Sequence, residues 1–342
     1  MKILLIVLNF MTKTNILAVD LGYSSVKCAY YNESDVLQLE KFISCTAKVD
    51  SPLESDDDSL FQLGTNYYVL GTPALKVPRS QQIKLNSWEG LLEIYPVWIS
   101  FLLKKYGGRE KFTKVAIGLS LAFKDKAEEL LEKLEKTLMI PKDYFIILPQ
   151  GIIAKKIYYE YGLNINEASK KNNTKVPNLL IVDGGFLTLD ICNVINGTAS
   201  SSATIGIENS GVICISYKLV EYIFKQYGIS ISIKEAQVIV DNDGEWKRRG
   251  RLYDLSQQVK QFTLEYLVDV LNLLENKFGE ALDGLDAVLI VGGVSYFFKK
   301  YMSELTPEIE KHFPLSFIQI PEIESEFYNA FGFLKAAYEL VN

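Results

Sequence analysis

Two short strings of the same form constrain this chain most, because each places an aspartate and a glycine directly after a run of apolar residues. Asp20-Leu21-Gly22 follows the apolar run 16–19 (ILAV), and Asp183-Gly184-Gly185 follows 179–182 (LLIV). A short apolar run that ends in such a turn signal is typical of a buried strand entering a hairpin. The duplication predicts two related domains, one in each half of the chain.

The residue types in these strings also indicate a kind of ligand. Glycine in a tight turn lets backbone N–H groups approach an anion closely. A carboxylate beside that turn can hold the hydrated cation that accompanies a polyphosphate. Two such hairpins therefore predict two domains that close on one polyphosphate and its metal ion.

Length, charge and residue usage exclude several other classes of protein. A chain of 342 residues exceeds the usual size of one core, which favours two domains. The net charge of −6 makes the chain a poor direct ligand for DNA or for anionic lipid, so contact with nucleic acid would need an adaptor. The four cysteines form no C-x-x-C pair and predict a reducing, cytoplasmic compartment. A single histidine, His312, argues against multi-histidine metal sites and a Ser-His-Asp relay.

The N-terminus carries a short apolar run over residues 1–11 (MKILLIVLNFM). It resembles the apolar part of a signal peptide but is too short to span a bilayer, and no small-x-small cleavage site follows it before Asp20. We interpret residues 1–14 as a dispensable extension, with Met11 as an equally good start. No membrane association is expected.

The periodicity of apolar residues predicts an α/β chain with mixed sheets, in which each half begins with a strand meander and continues with alternating helices and strands. The polar stretch 164–177 is the predicted linker between the halves. Helices are predicted over 87–106, 124–138, 150–161, 208–226, 252–278, 295–303 and 325–341, with a smaller element over 232–241. Later strands are predicted over 286–291 and 316–320.

Five motifs occur in one order along the chain. They are Asp20-x-Gly22-x-x-x-x-Lys27, Leu148-Pro149-Gln150-Gly151, Asp183-x-Gly185-x-x-Thr188-x-Asp190, the segment 289–295 (LIVGGVS) and the segment 328–333 (YNAFGF). Together they resemble the first phosphate, first connecting, second phosphate, adenosine and second connecting motifs of the actin, sugar-kinase and heat-shock-chaperone superfamily. The chain is most similar to bacterial plasmid-segregation actins of the ParM/StbA type, and the likeness covers residues 15 to 340.

That resemblance implies a two-domain actin-like fold, a duplicated ribonuclease-H-like α/β fold with a nucleotide cleft between the domains. Domain I is expected over 15–165, with a smaller subdomain at about 36–85, and is completed by the C-terminal helix 325–342. Domain II is expected over 176–324, with a smaller subdomain at about 216–272.

In the first hairpin, the backbone from Gly22 through Tyr23 to Val26 is predicted to donate N–H groups to the β- and γ-phosphates. Ser24 and Ser25 add hydroxyl groups, and the ammonium group of Lys27 is expected to point toward the same phosphate oxygens. Asp20 is expected to hold Mg²⁺ through water, because magnesium loses its hydration shell reluctantly. The alternative for this motif alone is an ordinary hairpin, which the second copy makes less favourable.

In the second hairpin, Asp183 is expected to face Asp20 across the cleft and to act on the metal or on the attacking water. Gly184, Gly185 and Thr188 are expected to wrap the γ-phosphate. Asp190 has two open interpretations, a carboxylate behind the metal ligands or a residue at a strand edge. Phe186 and Leu187 depart from the resemblance, because the family more often has glycine and threonine there. Hydrolysis or phosphate release is therefore expected to differ from that of relatives.

Three further groups complete the predicted site. Gln150 is placed where relatives orient a water molecule, and its alternative is a solvent-facing helix N-terminus. Gly292 and Gly293 are placed by the resemblance in the adenosine site. The remaining candidates are Lys234 and Glu235 for the ribose hydroxyls, for which an exposed helix charge is the alternative, and Gly206 near the α-phosphate.

The resemblance implies an ATPase that binds ATP or GTP with Mg²⁺, polymerises with copies of itself and hydrolyses the nucleotide. Its implied partner is a DNA-binding adaptor of the ParR type. Two alternatives on the same scaffold are a small-molecule kinase and a chaperone-like ATPase. The basic cluster 247–251 (KRRGR) is interpreted as a solvated turn, because acidic residues adjoin it.

Overall fold

The computed structural model describes residues 15–51, 60–155, 158, 177–320 and 325–341, which form two five-stranded mixed sheets. The first sheet has the strand order β3-β2-β1-β7-β8 and contains β1 (Ile16–Leu21), β2 (Ser25–Tyr31), β3 (Leu37–Ile43), β7 (Lys114–Leu119) and β8 (Phe145–Pro149). The second has the order β11-β10-β9-β14-β15 and contains β9 (Leu179–Gly184), β10 (Thr188–Ile195), β11 (Thr198–Glu208), β14 (Ala287–Gly292) and β15 (Ile318–Gln319).

The two sheets share one topology. In each, the first strand pairs antiparallel with the strand after it and parallel with a strand that comes much later in the chain. A final strand then extends the parallel side. The duplication expected from the two Asp-x-Gly strings is thus confirmed at the level of the sheets. Residues 1–14 and the predicted linker 164–177, apart from its last residue, lie outside the described residues.

Two smaller sheets were not predicted. One is three-stranded and contains β4 (Thr46–Val49), β5 (Leu60–Leu63) and β6 (Asn66–Leu70). The other is a hairpin of β12 (Glu245–Arg248) and β13 (Arg251–Asp254). The basic cluster 247–251 lies in this hairpin, with Arg249 at its turn in a left-handed conformation. It therefore forms an exposed turn, as its sequence context predicts.

The helices of the described residues differ from the predicted ones mainly at their ends. They are α1 (Trp88–Lys105), α2 (Ala127–Leu138), α3 (Ile213–Tyr227), α4 (Ile233–Asp241), α5 (Ser256–Leu282), α6 (Gly293–Lys300), α7 (Met302–His312) and α8 (Tyr328–Val341). Residues 154, 155 and 158, within the helix predicted over 150–161, are also helical. None of them combines the length and the apolar character needed to cross a membrane.

Several predicted helix starts are wrong for local reasons. Helix α2 does not begin at residue 124, because residues 121–126 form a 3-10 turn in which Phe123 leaves helical geometry. Helix α3 begins at Ile213 rather than 208, because β11 continues to Glu208. Helix α5 begins at Ser256, after the unpredicted hairpin.

Other elements differ in extent. Helix α5 continues four residues beyond its predicted end, to Leu282. The single helix predicted over 295–303 is two helices, α6 and α7. The strand predicted over 316–320 is reduced to β15.

The core between the two sheets positions the cavity described below. Strands β1, β9 and β14 contribute fully buried residues to one apolar cluster, and helix α8 fills the same cluster with Phe333, Leu334 and Ala337. Helix α8 also packs against β1, β2 and β7 of the first sheet. Burial of this apolar surface stabilises a fixed arrangement of the sheets. The carboxyl ends of β1 and β9 therefore face one cleft.

Candidate active site

A cavity lies where the two hairpins meet, and it encloses about 620 Å³ of free space, part of which is open to solvent. It lies at the carboxyl ends of parallel neighbours β1–β7 and β9–β14, the usual place for a ligand in an open α/β sheet. Most of the predicted site residues line this cavity: Asp20, Gly22, Tyr23, Ser24, Ser25, Lys27, Gln150, Asp183, Gly185, Thr188, Gly292 and Gly293.

Four predicted residues do not line it. Gly184 lies behind the cavity against Val294 of α6. Gly206 lies in β11, where its Cα packs against the first turn after β7, and an added Cβ would come within 2.2 Å of the backbone nitrogen of Ala122. The structure thus brings Gly206 to a contact between the domains instead of to the cavity.

Lys234 and Glu235 lie on α4 and do not line the cavity. The Nζ of Lys234 is buried and finds no hydrogen-bond acceptor among the described residues, and burial lowers the pKa of this lysine. Glu235 accepts hydrogen bonds from Arg79 at 2.6 Å, across the domains, and from Arg248 at 3.4 Å. Its carboxylate is therefore already engaged by two guanidinium groups.

The first hairpin presents its tip to the cavity with free N–H groups. The N–H of Gly22 donates to the carbonyl of Ser25 at 2.9 Å and closes the turn. Ser44 holds the tip from behind, because its hydroxyl donates to the carbonyl of Tyr23 at 2.6 Å and its N–H to that of Ser24 at 3.1 Å. Within the described part of the chain, the N–H groups of Tyr23 and Ser24 have no acceptor. They are available to an anion in the cavity.

The second hairpin is held in the same way by the start of α3. The N–H of Gly185 donates to the carbonyl of Thr188 at 2.9 Å. The N–H of Ile213 donates to the carbonyl of Phe186 at 2.8 Å, and the residues just before it donate to the carbonyls of Gly185 and Leu187. The N–H groups of Phe186 and Leu187 find no acceptor among the described residues. Both hairpins therefore turn their carbonyls away from the cavity.

Asp20 is a buried carboxylate that lines this cavity, with an exposed fraction of 4%. It accepts a hydrogen bond from Nε2 of Gln150 at 2.7 Å and from Nζ of Lys27 at 3.4 Å. Gln150 lies in a turn that follows β8 and does not begin a helix, so its predicted place in the secondary structure is wrong. The turn nevertheless brings its side chain to Asp20.

Asp183 is equally buried, at 5% exposed. Nδ2 of Asn329 donates to its Oδ2 at 2.6 Å. Burial raises the pKa of Asp183 to about 6; the hydrogen bond from Asn329 opposes this rise, and the charge of Asp20 adds to it. Asn329 was not predicted as a site residue. The only signal in the sequence was its position in the second connecting motif.

Asp190 lies inside β10 and pairs across the strands with Asp183, so it is not at a strand edge, and it lines the same cavity. It is 1% exposed, and it accepts hydrogen bonds from the hydroxyl of Ser120 at 3.0 Å and from the N–H of Leu121 at 3.4 Å. Burial and the neighbouring Asp183 raise its pKa to about 8. Ser120 is a second cavity residue that the sequence did not reveal.

The donor set fits a magnesium ion that is held mostly by water and phosphate. Among the described residues, no cluster of three or more histidine, cysteine or carboxylate side chains could hold a metal by itself. Asp20 and Asp183 supply two carboxylates to one cavity, which is the number that Mg²⁺ commonly takes from a protein when substrate phosphates and waters complete its shell. Lys27 and the free N–H groups supply donors for the phosphates.

No model of a known protein family and no curated protein matches the sequence. Solved structures do match. A non-polymerisable quadruple mutant of the pCBH ParM protein superposes with a TM-score of 0.71 at 18% identity, over 95% of this chain and 99% of that one. The 15-stranded ParM filament from Clostridium botulinum gives 0.69 at 16% identity, over 95% and 99%.

A third match is an archaeal actin homologue in complex with ADP. It superposes with a TM-score of 0.65 at 16% identity, and the match covers 95% of this chain and 100% of that one. These matches agree with the duplicated sheets. The chain therefore has the two-domain actin-like fold.

Proposed function

We propose that this chain is an actin-like nucleoside triphosphatase that binds ATP with Mg²⁺ in the cavity between the hairpins. The observation that carries the proposal is the convergence of two buried aspartates, Asp20 and Asp183, from duplicated hairpins whose tips offer unpaired N–H groups. The ADP bound to the archaeal homologue supports an adenine nucleotide as the ligand. GTP is the alternative nucleotide.

In the proposed reaction, a water oxygen attacks the γ-phosphorus and the bond from that phosphorus to the bridging oxygen breaks. ADP leaves, and inorganic phosphate is released. Gln150 would orient the water: its Nε2 is bonded to Asp20, which leaves Oε1 to accept a hydrogen bond from the water. Glutamine is a weak base, and positioning suits a loose phosphoryl transition state. Asp183 would act on the same water or on the metal.

Several residues would hold the phosphates during this step. Lys27 would place its ammonium group against the β- and γ-oxygens, and the hydroxyls of Ser25 and Thr188 lie in the same cavity. Magnesium would be held by Asp20 and Asp183 through water and would neutralise charge that develops on the phosphates. The adenosine would lie toward Gly292 and Gly293, which line the cavity, whereas Lys234 and Glu235 lie outside its lining and are candidates for the ribose from the sequence resemblance alone.

We also propose that copies of the chain assemble into filaments when ATP binds, by analogy with the ParM filament that it matches in fold. The test is light scattering of the purified protein after addition of ATP and Mg²⁺, followed by negative-stain microscopy and a phosphate-release assay. We expect scattering to rise and filaments to appear, with phosphate released after assembly. ADP with Mg²⁺, and ATP with a chelator, are the controls.

Two outcomes would contradict this proposal. Phosphate release without filaments over a wide protein concentration range would indicate a kinase-like or chaperone-like ATPase on the same fold. Neither release nor assembly with ATP or GTP would overturn the nucleoside triphosphatase itself.

We further propose that the filament acts in the cytoplasm to segregate plasmid DNA, through a DNA-binding adaptor of the ParR type. The net charge of −6 supports an adaptor over direct contact with DNA. A filter-binding assay with plasmid DNA at 150 mM salt tests this, and we expect no retention of DNA by the chain alone. Retention that weakens steeply as salt rises would contradict the need for an adaptor.

A further inference from the structure

Asn329, the second residue of α8, connects two parts of the cavity through both ends of its amide. Nδ2 donates to Oδ2 of Asp183 at 2.6 Å, and Oδ1 accepts from the N–H of Gly151 at 3.4 Å. The side chain is buried, with 7% exposed, and it lines the cavity. Such a contact ties the C-terminal helix to a carboxylate of the second sheet.

These bonds complete a path between the two aspartates. Nε2 of Gln150 donates to Oδ1 of Asp20 at 2.7 Å. The next residue, Gly151, donates its N–H to the amide of Asn329, and that amide donates to Asp183. Helix α8 packs mainly against the first sheet, whereas Asp183 lies near the end of a strand of the second. Asn329 therefore fixes the orientation of Asp183 relative to the turn that carries Gln150.

The chemistry of this position admits few residues. An amide supplies one acceptor for the N–H of Gly151 and one donor for Asp183. An aspartate would place a further buried carboxylate against Asp183, and an apolar residue would leave Asp183 Oδ2 without this partner. Asparagine is the side chain that satisfies both neighbours at this distance from the helix.

A close contact between α8 and the segment 150–153 keeps Asn329 within hydrogen-bond distance of Gly151 and Asp183. Gly332, one turn further along α8, packs against Ile153 in the same turn as Gly151, and an added Cβ would come within 2.2 Å of Cγ2 of Ile153. A larger residue would move the helix or the turn away. The position of Asn329 thus depends on contact between α8 and the segment 150–153.

We propose that Asn329 is a positioning residue for nucleotide hydrolysis: it orients the Asp183 carboxylate and aligns it with Gln150. The proposal rests on the proposed function. Asn329 acts through its two neighbours, so its loss should reduce the rate of hydrolysis more than the affinity for nucleotide. Misplacement of a reacting group by about 1 Å costs about 100-fold in rate.

The test compares Asn329→Leu with Tyr328→Phe, a change at the adjacent and equally buried residue that lies outside the cavity lining. Single-turnover phosphate release, nucleotide affinity from a fluorescent ATP analogue and thermal unfolding are measured for each. We expect release to slow by about 10- to 100-fold in Asn329→Leu, with the nucleotide dissociation constant changed less than about threefold. Tyr328→Phe should leave both unchanged.

Two additional variants separate positioning from a structural role. Gly332→Ala keeps the amide of Asn329 but moves α8 away from the segment 150–153. It should therefore slow phosphate release, as Asn329→Leu does. The double variant Asn329→Leu/Asp183→Ala should release phosphate no more slowly than Asp183→Ala alone, because Asn329 acts through Asp183.

The outcomes distinguish this proposal from the one on which it rests. Normal release from Asn329→Leu, additive losses in the double variant, or affinity that falls as much as rate would overturn the role of Asn329. No release from the wild type would overturn the proposed function itself.

Discussion

The two hairpins are built on one plan. In each, an aspartate is the last residue but one of a buried strand, and the glycine two residues later donates its N–H to the carbonyl three residues further on. The two donor–acceptor distances, from Gly22 and from Gly185, are both 2.9 Å. Asp20 and Asp183 are buried to nearly the same extent. The backbone of the two sites is therefore equivalent, and their differences lie in the side chains.

The first difference is the charge opposite each aspartate. Across the strands, Asp20 pairs with Lys27, whereas Asp183 pairs with Asp190. Opposite charges across a strand pair stabilise it, and like charges destabilise it. The first hairpin therefore carries a cation suited to phosphate, and the second holds two carboxylates whose pKa values are both raised. Under the proposed function, the first hairpin therefore supplies a cation to the phosphates that the second hairpin does not supply.

The second difference is at the tips. The first tip is Tyr23-Ser24, and the second is Phe186-Leu187. Leu187 is 1% exposed and belongs, with Ile213, to the apolar cluster that fills the first domain. The second tip thus packs against the opposite domain, and Leu187 makes an apolar contact between the domains there.

The strongest test of the contrast in charge is one substitution in each hairpin. We expect Asp183→Ala to slow phosphate release by about 10²- to 10⁴-fold while nucleotide binding is largely retained, because the carboxylate acts on the water or the metal. Lys27→Met should instead weaken nucleotide affinity by about 10- to 100-fold, because a charged hydrogen bond to phosphate is lost. Phosphate release and equilibrium nucleotide binding measure the two effects.

Lys41→Met is the matched control, because Lys41 pairs with Lys27 on the next strand but is exposed and lies outside the cavity lining. Equal turnover in the wild type and in Asp183→Ala would remove Asp183 from the mechanism. An unchanged affinity in Lys27→Met would remove Lys27 from the phosphate site.

A smaller effect should separate the two tips. We expect Leu187→Ala to lower the free energy of unfolding by about 2–4 kcal/mol, because it removes a buried side chain from a cluster that spans both domains. Ser24→Ala, at the equivalent place in the first hairpin, should change it by less than about 0.5 kcal/mol, because Ser24 is only half-buried. Urea denaturation checks both, and equal losses would show that the tips do not differ.

A further expected effect concerns pH. The pKa of Asp190 rises from 3.8 to about 8 on folding, so the folded chain binds a proton that the unfolded chain releases. The stability that this proton contributes is complete below about pH 4 and is lost as the pH rises toward 8. Asp190→Asn should remove this loss of stability at higher pH, because an uncharged amide resembles the protonated acid.

Denaturation of both proteins at pH 5, 6, 7 and 8 measures the difference. We expect the stability of Asp190→Asn relative to the wild type to increase with pH and to level off above about pH 8. A difference that stays constant with pH would contradict a raised pKa at Asp190. An amide can still accept from the N–H of Leu121 and donate to the hydroxyl of Ser120, so the contacts should persist.

Much of the cavity could be predicted from the sequence because its signals are local. Strand, turn and strand follow one another within about ten residues, so Asp20, Gly22 and Lys27 had to lie in one hairpin once the apolar runs formed strands. The same pattern in the second half of the chain predicted that Asp183, Gly185 and Thr188 lie in one hairpin. These residues line the cavity in the structure.

Helix ends and distant contacts were harder to predict. Helix α3 starts later than its periodicity suggests, because the N–H groups of residues 210–213 bond to carbonyls of the second hairpin. By sequence, a glycine at position 206 is equally compatible with a turn and with a close approach of another backbone segment. Only the packing of β11 against Ala122 places it between the domains.

The sequence by itself determined the two hairpins, the α/β class and the residues at the carboxyl ends of β1 and β9, because strand alternation and turn chemistry act over short stretches. Only the tertiary structure decided which distant groups complete the site. Asn329 is 146 residues from Asp183 along the chain, and Ser120 is 70 residues from Asp190. Such hydrogen bonds form only after the two sheets and α8 have packed, so no local pattern encodes them.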